Sequence, residues 1–457
     1  MNLTLLWAPR AWVGGAWADS VLLGIGSDGH WTSIARGVAA PPQATVLKGP
    51  VLPGLVDAHS HAFQRAFAGL AERRSAEHDD FWSWRDRMYG VARRITPAQL
   101  RAVAAQLYTE LLAGGYTQVC EFHYLHHDER GTPYPDPLAM SRALCEAAAT
   151  AGIGLTLLPV LYERAGFTQP ALRDDQRRFS TTVDSVLALR DGVRALKLPR
   201  VDAGIAVHSL RAAAPASLQQ LVRRLGGDAA PIHIHVAEQT AEVDACLAVT
   251  GKRPIEWLTH TLPLDARWQL VHATHATAAE IDAVAASGAG IVLCPSTEAN
   301  LGDGLPDLPR WLNSTTPMAI GSDSQVCRSA IEELRWLEYG QRLQLRQRNV
   351  AAQPDLGIEA TAAGLFGRTL AGGAAAAGFE HWGLTVGARA DLLVLDSRAP
   401  GLLGMPATHT LDALIFATGA PAFSEVWVGG RRVLDSTALS AAIEADFAAA
   451  MAELWGN

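Results

Sequence analysis

The chain alternates short apolar runs with stretches of helical spacing, and the runs differ between its ends and its middle. From residue 1 to about 50 they are brief and broken by Gly and Pro: LTLLWA, VLLGIG, HWTSIA and ATVLKG. Such runs between turn residues predict strands. The same texture returns in ADLLVLD (390–396), ALIFAT (413–418) and EVWVGGRRVL (425–434), and Ser440 to Trp455 reads as a helix. Two β-rich ends around a long middle predict a small sheet domain assembled from both termini.

The middle holds eight apolar runs, at 49–63, 114–125, 152–162, 204–211, 231–238, 267–275, 288–298 and 316–324. Most are separated by amphipathic helical patterns, such as 97–113 and 138–151. Strand and helix in alternation predict an α/β fold with a parallel sheet, either a (β/α)8 TIM-like barrel or an open doubly wound sheet. The polar residues favour the barrel, because they gather at the C-terminal ends of the runs, where barrels carry their chemistry. The expected division is a small β-sandwich domain from 1–50 with 380–435, a barrel over 51–379 and a C-terminal helix over 436–457.

Composition narrows the function classes. At 457 residues, 49% hydrophobic and 18% charged, the chain reads as folded and long enough for two domains. A net charge of −8 argues against a nucleic-acid partner, which needs a basic face. It does not argue against a small anion, since a local arginine pair can hold one. The five cysteines, Cys120, Cys145, Cys246, Cys294 and Cys327, are scattered and form no CxxC pair. They suggest neither a disulfide framework nor a thiolate metal site. The start MNLTLLWAPRAWVGG lacks a secretory leader pattern, and no apolar run is long enough to span a bilayer. A soluble, cytoplasmic protein is expected.

The chemistry-bearing residues stand at the ends of separate runs. His59 and His61 are two apart, so a strand would point both to one face. His235 ends the fifth run with Glu238 three residues on, His272 ends the sixth, and Asp323 ends the eighth within GSDS. One HxH pair is a weak signal; four strand ends bearing His or Asp make a strong joint one. Nitrogen and carboxylate donors of this kind suit zinc or another borderline divalent ion. Such an ion lowers the pKa of water toward about 7 and makes hydroxide available at neutral pH. Glu238, one turn past a ligand candidate, is placed to shuttle protons, although a helix-start carboxylate would look the same.

PGLVDAHSH, HVAE, LVHATH and GSDS resemble the signatures of strands 1, 5, 6 and 8 in the amidohydrolase superfamily, mononuclear deaminase branch. GARADLLVLD resembles that superfamily's return to its small sheet domain, so the likeness covers nearly the whole chain. It implies His59, His61, His235 and Asp323 as ligands of one Zn2+ per chain, with Fe2+ or another divalent ion as alternatives. It implies catalytic roles for Glu238, His272 and Asp323. The His-x-x-Glu spacing favours His235 over His233 as ligand, leaving His233 inside the barrel. The nearest lysine, Lys197, precedes the fourth run, which weighs against a two-metal site bridged by a carbamylated lysine. His126, His127, His260 and His275 read as structural or loop residues.

Within the superfamily the chain resembles the formimidoylglutamate deiminases. The matching segments are AFQRAFAGL, FWSWRDRMY, CEFHYLHH, HSLR and CPSTEANLGDG. The likeness implies hydrolysis of N-formimino-L-glutamate to N-formyl-L-glutamate and ammonia, in histidine degradation, by a homodimer without membrane or nucleic-acid partners. Two carboxylates on such a substrate call for guanidinium forks. Arg85 and Arg211 are the expected clamps, on loops or strand ends, with Gln64, Tyr124 and His208 as further contacts. A surface helix arginine is the plainer account of Arg85, and Trp82 and Trp84 read as lid packing. Three rivals stand: deamination of a purine, pterin or S-adenosylhomocysteine-like compound; hydrolysis of the same substrate to formamide and glutamate; and a metal-bearing barrel kept as a scaffold.

Overall fold

The computed structural model describes residues 3–74, 80–419, 422–435 and 440–456. Its core is a barrel of eight parallel strands: β1 (Leu55–Ser60), β2 (Tyr116–His123), β3 (Gly154–Leu161), β4 (Ile205–Ser209), β5 (Ile232–Val236), β6 (Trp268–His272), β7 (Gly290–Leu293) and β8 (Met318–Ile320). Neighbours pair in chain order. Their Val, Ile and Leu runs are buried along nearly their whole length, as strands covered on both faces require. Each of the eight lies within one of the eight runs expected.

Past the end of β8 the chain seats itself against β1. The Asp323 amide donates to the His59 carbonyl at 2.9 Å, and the His61 amide to the Asp323 carbonyl at 3.2 Å. The Ser322 amide and hydroxyl both donate to the Asp57 carboxylate, at 2.9 and 2.6 Å. Gly321 permits this approach, since a Cβ there would stand 2.7 Å from the His59 Cβ. The closing contacts thus fall within two residues of the site's own side chains.

The helices between strands start where their caps dictate. Thr96 and Gln99 form a capping box on Pro97–Ala113, and Thr277 with Glu280 does the same for Ala278–Ser287. Ala139–Ala151 stops at Gly152, whose φ of 87° suits a residue without a Cβ.

The two ends of the chain build a second sheet of eight strands that fits a small β-sandwich domain. Thr4–Val13, Ala16–Ile25, Trp31–Ala35, Thr45–Val46 and Val51–Leu52 come from the N-terminal side. Leu392–Leu395, Phe423–Val428 and Arg431–Asp435 come from the C-terminal side. The two groups meet where Val51–Leu52 pairs with Leu393 and Val394. Leu6, Val21, Leu23, Trp31 and Val394 lie in its core. A helix follows at Ala441–Trp455; residues 436–439 and 457, assigned to it from sequence, lie outside the described residues.

Two local expectations fail. ALIFAT is not a strand but most of the helix Thr410–Ala417, which packs on Ala330–Leu345 with Tyr339 and Phe416 rings 5.8 Å apart. A short apolar run fits buried helix and buried strand alike, and packing decides. The seventh run splits, with Gly290–Leu293 a strand and Pro295–Leu301 a helix opened by its proline. All five cysteines are buried and unpaired, and no described helix is long and apolar enough to cross a membrane.

Candidate active site

The C-terminal ends of the barrel strands carry the polar side chains, on backbone held in unusual conformations. His272 has φ 70°, Ala273 48°, Asp323 49° and Ala237 53°, all positive without being glycine. Non-glycine residues enter this region at a cost, and surrounding structure must over-determine them. Here the turn out of β6 and the closure of β8 on β1 force the path, and the strained backbone aims His272 and Asp323 inward.

Three imidazole nitrogens converge beneath the cleft. His59 Nε2 lies 3.2 Å from His61 Nε2 and 2.9 Å from His235 Nε2. Asp323 Oδ1 stands 3.5 Å from the first and 3.4 Å from the second. His61 Nδ1 lies 2.9 Å from the Phe122 carbonyl, and His235 Nδ1 2.9 Å from the His208 carbonyl. Those carbonyls hold the ring protons on Nδ1 and leave each Nε2 lone pair facing the centre. Burial drives the histidines toward the neutral form, taking His59 to about 3 and depressing His61 and His235 as well. Burial opposes the charge on Asp323, but the histidines, His59 foremost, hold its carboxyl below the usual range.

Neutral lone pairs and an anion aimed at one point repel one another unless a cation sits among them. Bonds of roughly 2.0–2.1 Å place tetrahedral ligands roughly 3.3–3.4 Å apart, close to the spacings here. The donor set therefore fits a divalent ion. Cys294 also lies near His272 and Asp323, and burial raises its thiol well above the ordinary range. Lys197 is exposed in a turn before β4, away from this cluster. His233, buried and bonded from Nε2 to the Ala376 carbonyl at 2.8 Å, belongs to the barrel packing.

Beside the cluster, three carboxylates surround His272. His272 Nε2 faces Glu238 Oε1 at 3.7 Å and Asp323 Oδ2 at 3.8 Å, while its Nδ1 faces Glu298 Oε1 at 3.4 Å. Burial works against a charged His272, but the carboxylates of Glu238, Glu298 and Asp323 raise its pKa. Burial lifts Glu238 to about 7, partly offset by His272. Glu298 is fixed by the Cys294 amide at 3.0 Å. It escaped sequence reading, because nothing in CPSTE shows that one of its side chains reaches across to β6.

The cleft above has an empty volume of about 660 Å³, counting its mouth. His61, His235, Glu238, His272 and Asp323 line its floor; Gln64, Tyr124, His208, Arg85 and Arg211 line its walls. His59 lies fully buried beneath them. Every expected site residue is thus brought to one place. Gln64 Nε2 donates to the Tyr124 hydroxyl at 3.3 Å and leaves its Oε1 buried without a partner. His208 packs edge-on against Tyr162, ring centres 4.5 Å apart.

Arg85 departs from expectation in its setting. It sits on the helix Phe81–Ala92, not on a loop or strand end, and its Nε is buried without a hydrogen-bond partner. Trp82, assigned no role from sequence, is the platform for both arginines. The guanidinium carbon of Arg85 lies 4.6 Å from the Trp82 ring centre and that of Arg211 5.2 Å. Glu242 was also missed: it is buried on the cleft wall and accepts from the Glu238 amide at 3.3 Å. The i, i+3 spacing of Trp82 and Arg85 on one helix was readable, but the arrival of Arg211 from β4 was not.

Comparison with known proteins agrees with this geometry. The model of the amidohydrolase family matches residues 51–433. A formimidoylglutamate deiminase from Pseudomonas aeruginosa is 46% identical over 433 residues, 94% of this chain and 95% of that protein. A 5-methylthioadenosine/S-adenosylhomocysteine deaminase from Natronomonas pharaonis is 27% identical over 84% of this chain and 81% of its own. The crystal structure of an amidohydrolase from Brucella melitensis superposes with a TM-score of 0.93 at 42% identity, covering 99% of each chain.

Proposed function

This chain belongs to the amidohydrolase family, and on that premise we propose that it hydrolyses N-formimino-L-glutamate to N-formyl-L-glutamate and ammonia, a step of histidine degradation. The observation that carries the reading is one cleft with an acid–base and metal-ligating floor and a wall bearing two arginines on one indole. The amidine head of that substrate suits the floor, and its two carboxylates suit guanidinium forks.

His59, His61, His235 and Asp323 would hold the ion, for which zinc is our proposal. Bound there, it supplies an acidified water and polarises the group under attack. Arg85 and Arg211 take the two carboxylates and so place the formimino carbon over the floor. Gln64, whose Oε1 has no partner within the protein, Tyr124 and His208 surround the intervening chain. Asp323 and His272 orient the attacking water, whose oxygen bonds to the formimino carbon. Glu238 accepts the water's proton and passes it to the terminal nitrogen. The hydroxyl now on the carbon gives its proton through Glu238 to the same nitrogen as the carbon–nitrogen bond breaks, so ammonia leaves and the formyl carbonyl forms. A carboxyl with a pKa of about 7 can both take and give a proton near neutrality.

The test is to incubate the metal-loaded protein with N-formimino-L-glutamate and follow products by proton NMR beside an ammonia assay. Equal amounts of N-formylglutamate and ammonia are expected. Formamide with glutamate would reverse the choice of leaving group. Ammonia from an adenosine compound, with none from formiminoglutamate, would overturn the substrate. Metal analysis of the active protein by mass spectrometry decides between zinc and iron.

A further inference from the structure

At the opposite end of the barrel, where it meets the small sheet domain, lies a second cleft with an empty volume of about 970 Å³ counting its mouth. Its floor includes Gln118 and Leu155, near the starts of β2 and β3, while the catalytic residues follow strand ends. An eight-residue strand such as β2 is roughly 26 Å long, so the two clefts are separate. Three arginines reach this one: Arg200 from the turn before Val201–Ala203, Arg389 from the approach to Leu392–Leu395, and Arg431 from the last hairpin.

Their partners differ. Arg389 is satisfied, with Asp391 bidentate at 3.0 and 2.7 Å and Gln118 Oε1 at 2.8 Å. Among the described residues, Arg200 and Arg431 have no ion-pair partner, and the Arg200 Nε is buried without a hydrogen bond. Arg200 also has φ 61°, a backbone conformation an arginine adopts only under constraint. The acidic residues that line the cleft contact groups other than Arg200 and Arg431. Asp202 is held by Arg194 at 3.2 Å and by the Ala203 amide at 2.7 Å, and Asp28 accepts from the His30 amide at 3.2 Å. Burial, then the like charges of Arg389 and Arg431, depress the Arg200 pKa. Asp391 neutralises Arg389, while Asp28 and Asp202 line the cleft with exposed side chains that make no ion pair with Arg200 or Arg431, so those two guanidinium groups are left without a carboxylate in contact.

We propose that this cleft binds a compact dianion of phosphate or dicarboxylate type, held by the guanidinium groups of Arg200 and Arg431. A dianion pairs with the two guanidinium groups that have no ion-pair partner, and its oxygens accept forked N–H bonds for which no acceptor stands among the described residues. Arg200 lies on a turn of the barrel and Arg431 on a hairpin of the small sheet, so the anion joins the two domains. Binding to the folded state alone raises stability by mass action.

The experiment titrates the purified metal-loaded enzyme with pyrophosphate and, separately, with glutarate, at constant ionic strength. Calorimetry and thermal unfolding are both read. The expected result is saturable heat with a saturable rise in Tm for at least one probe. Saturation by pyrophosphate alone assigns a phosphate ligand, and by glutarate alone a dicarboxylate. The double variant Arg200→Gln/Arg431→Gln should bind roughly tenfold or more weakly, with kcat and KM unchanged. Arg431→Gln, at an exposed position, gives the same reading if the double variant folds poorly. Arg211→Met, at the far cleft, should leave this binding intact. No saturation with either probe, affinity unchanged in both variants at Arg431, or loss of binding in Arg211→Met would each overturn the proposal.

Discussion

The two ends of the catalytic cleft hold their side chains by different means. At and beneath the floor, His59, His61, His235, His272 and Asp323 hang from strand ends, almost fully buried, with ring nitrogens of His61 and His235 fixed by backbone carbonyls and that of His272 facing Glu298. At the wall, Arg85 and Arg211 come from a helix and from the turn after β4, steadied by stacking on Trp82. Strand ends in a closed barrel move little relative to one another, which suits chemistry that demands tight placement. A stacked guanidinium keeps its charge and its fork while the indole limits its range. On the proposed function one end serves reaction and the other recognition, so the two should fail differently.

That contrast can be tested from the largest effect downward. Removing the ion with a chelator should take turnover to the uncatalysed background and zinc should restore it; persistent activity in metal-free protein would erase the floor's assigned role. Glu238→Gln should lower kcat about 10²–10⁴-fold with metal content unchanged, checked by steady-state kinetics and metal analysis. Glu238 acts in its ionised form and its pKa is raised to about 7. The wild-type kcat/KM should therefore fall as pH drops through about 7, and Glu238→Gln should lack that limb. A wild-type profile flat through this range would remove the proton transfer from Glu238.

Changes at the wall should appear in KM. Arg211→Met is expected to raise KM about 10–100-fold, the worth of a charge-assisted bond, with a smaller change in kcat. Trp82→Ala should raise KM by roughly 2–30-fold, the range for cation–π support. Because Trp82 acts through the arginines, its effect should shrink in an Arg211→Met background; full additivity would mean that it merely packs.

Much of the floor was legible because its signals are local. A two-residue strand period places His59 and His61 on one side, and the polar ends of eight apolar runs mark the reactive rim. Trp82 and Glu298 were not legible as site residues, for each meets a partner on another element, Arg211 and His272, and Glu242 was not because only the fold turns it to the cleft wall. Arg85 was identified, but a helical Arg85 was read only as the surface alternative, and its indole support was not seen. ALIFAT was misread because four or five apolar residues satisfy strand and helix equally until their surroundings choose.

The sequence by itself determined the order of the eight barrel strands, the barrel, the small sheet from two distant ends, and which residue types could bind metal and carry protons. These follow from periodicity and spacing, which are properties of neighbours along the chain. Only the tertiary structure decided that β8 would close on β1 through Asp57, Ser322 and Asp323, and that Glu298 would face His272. It alone decided that one indole would hold two arginines and that three more would share a cleft at the barrel's other end. Those are distances between residues tens to hundreds of positions apart, set by the packing of whole elements, and local sequence carries no record of them.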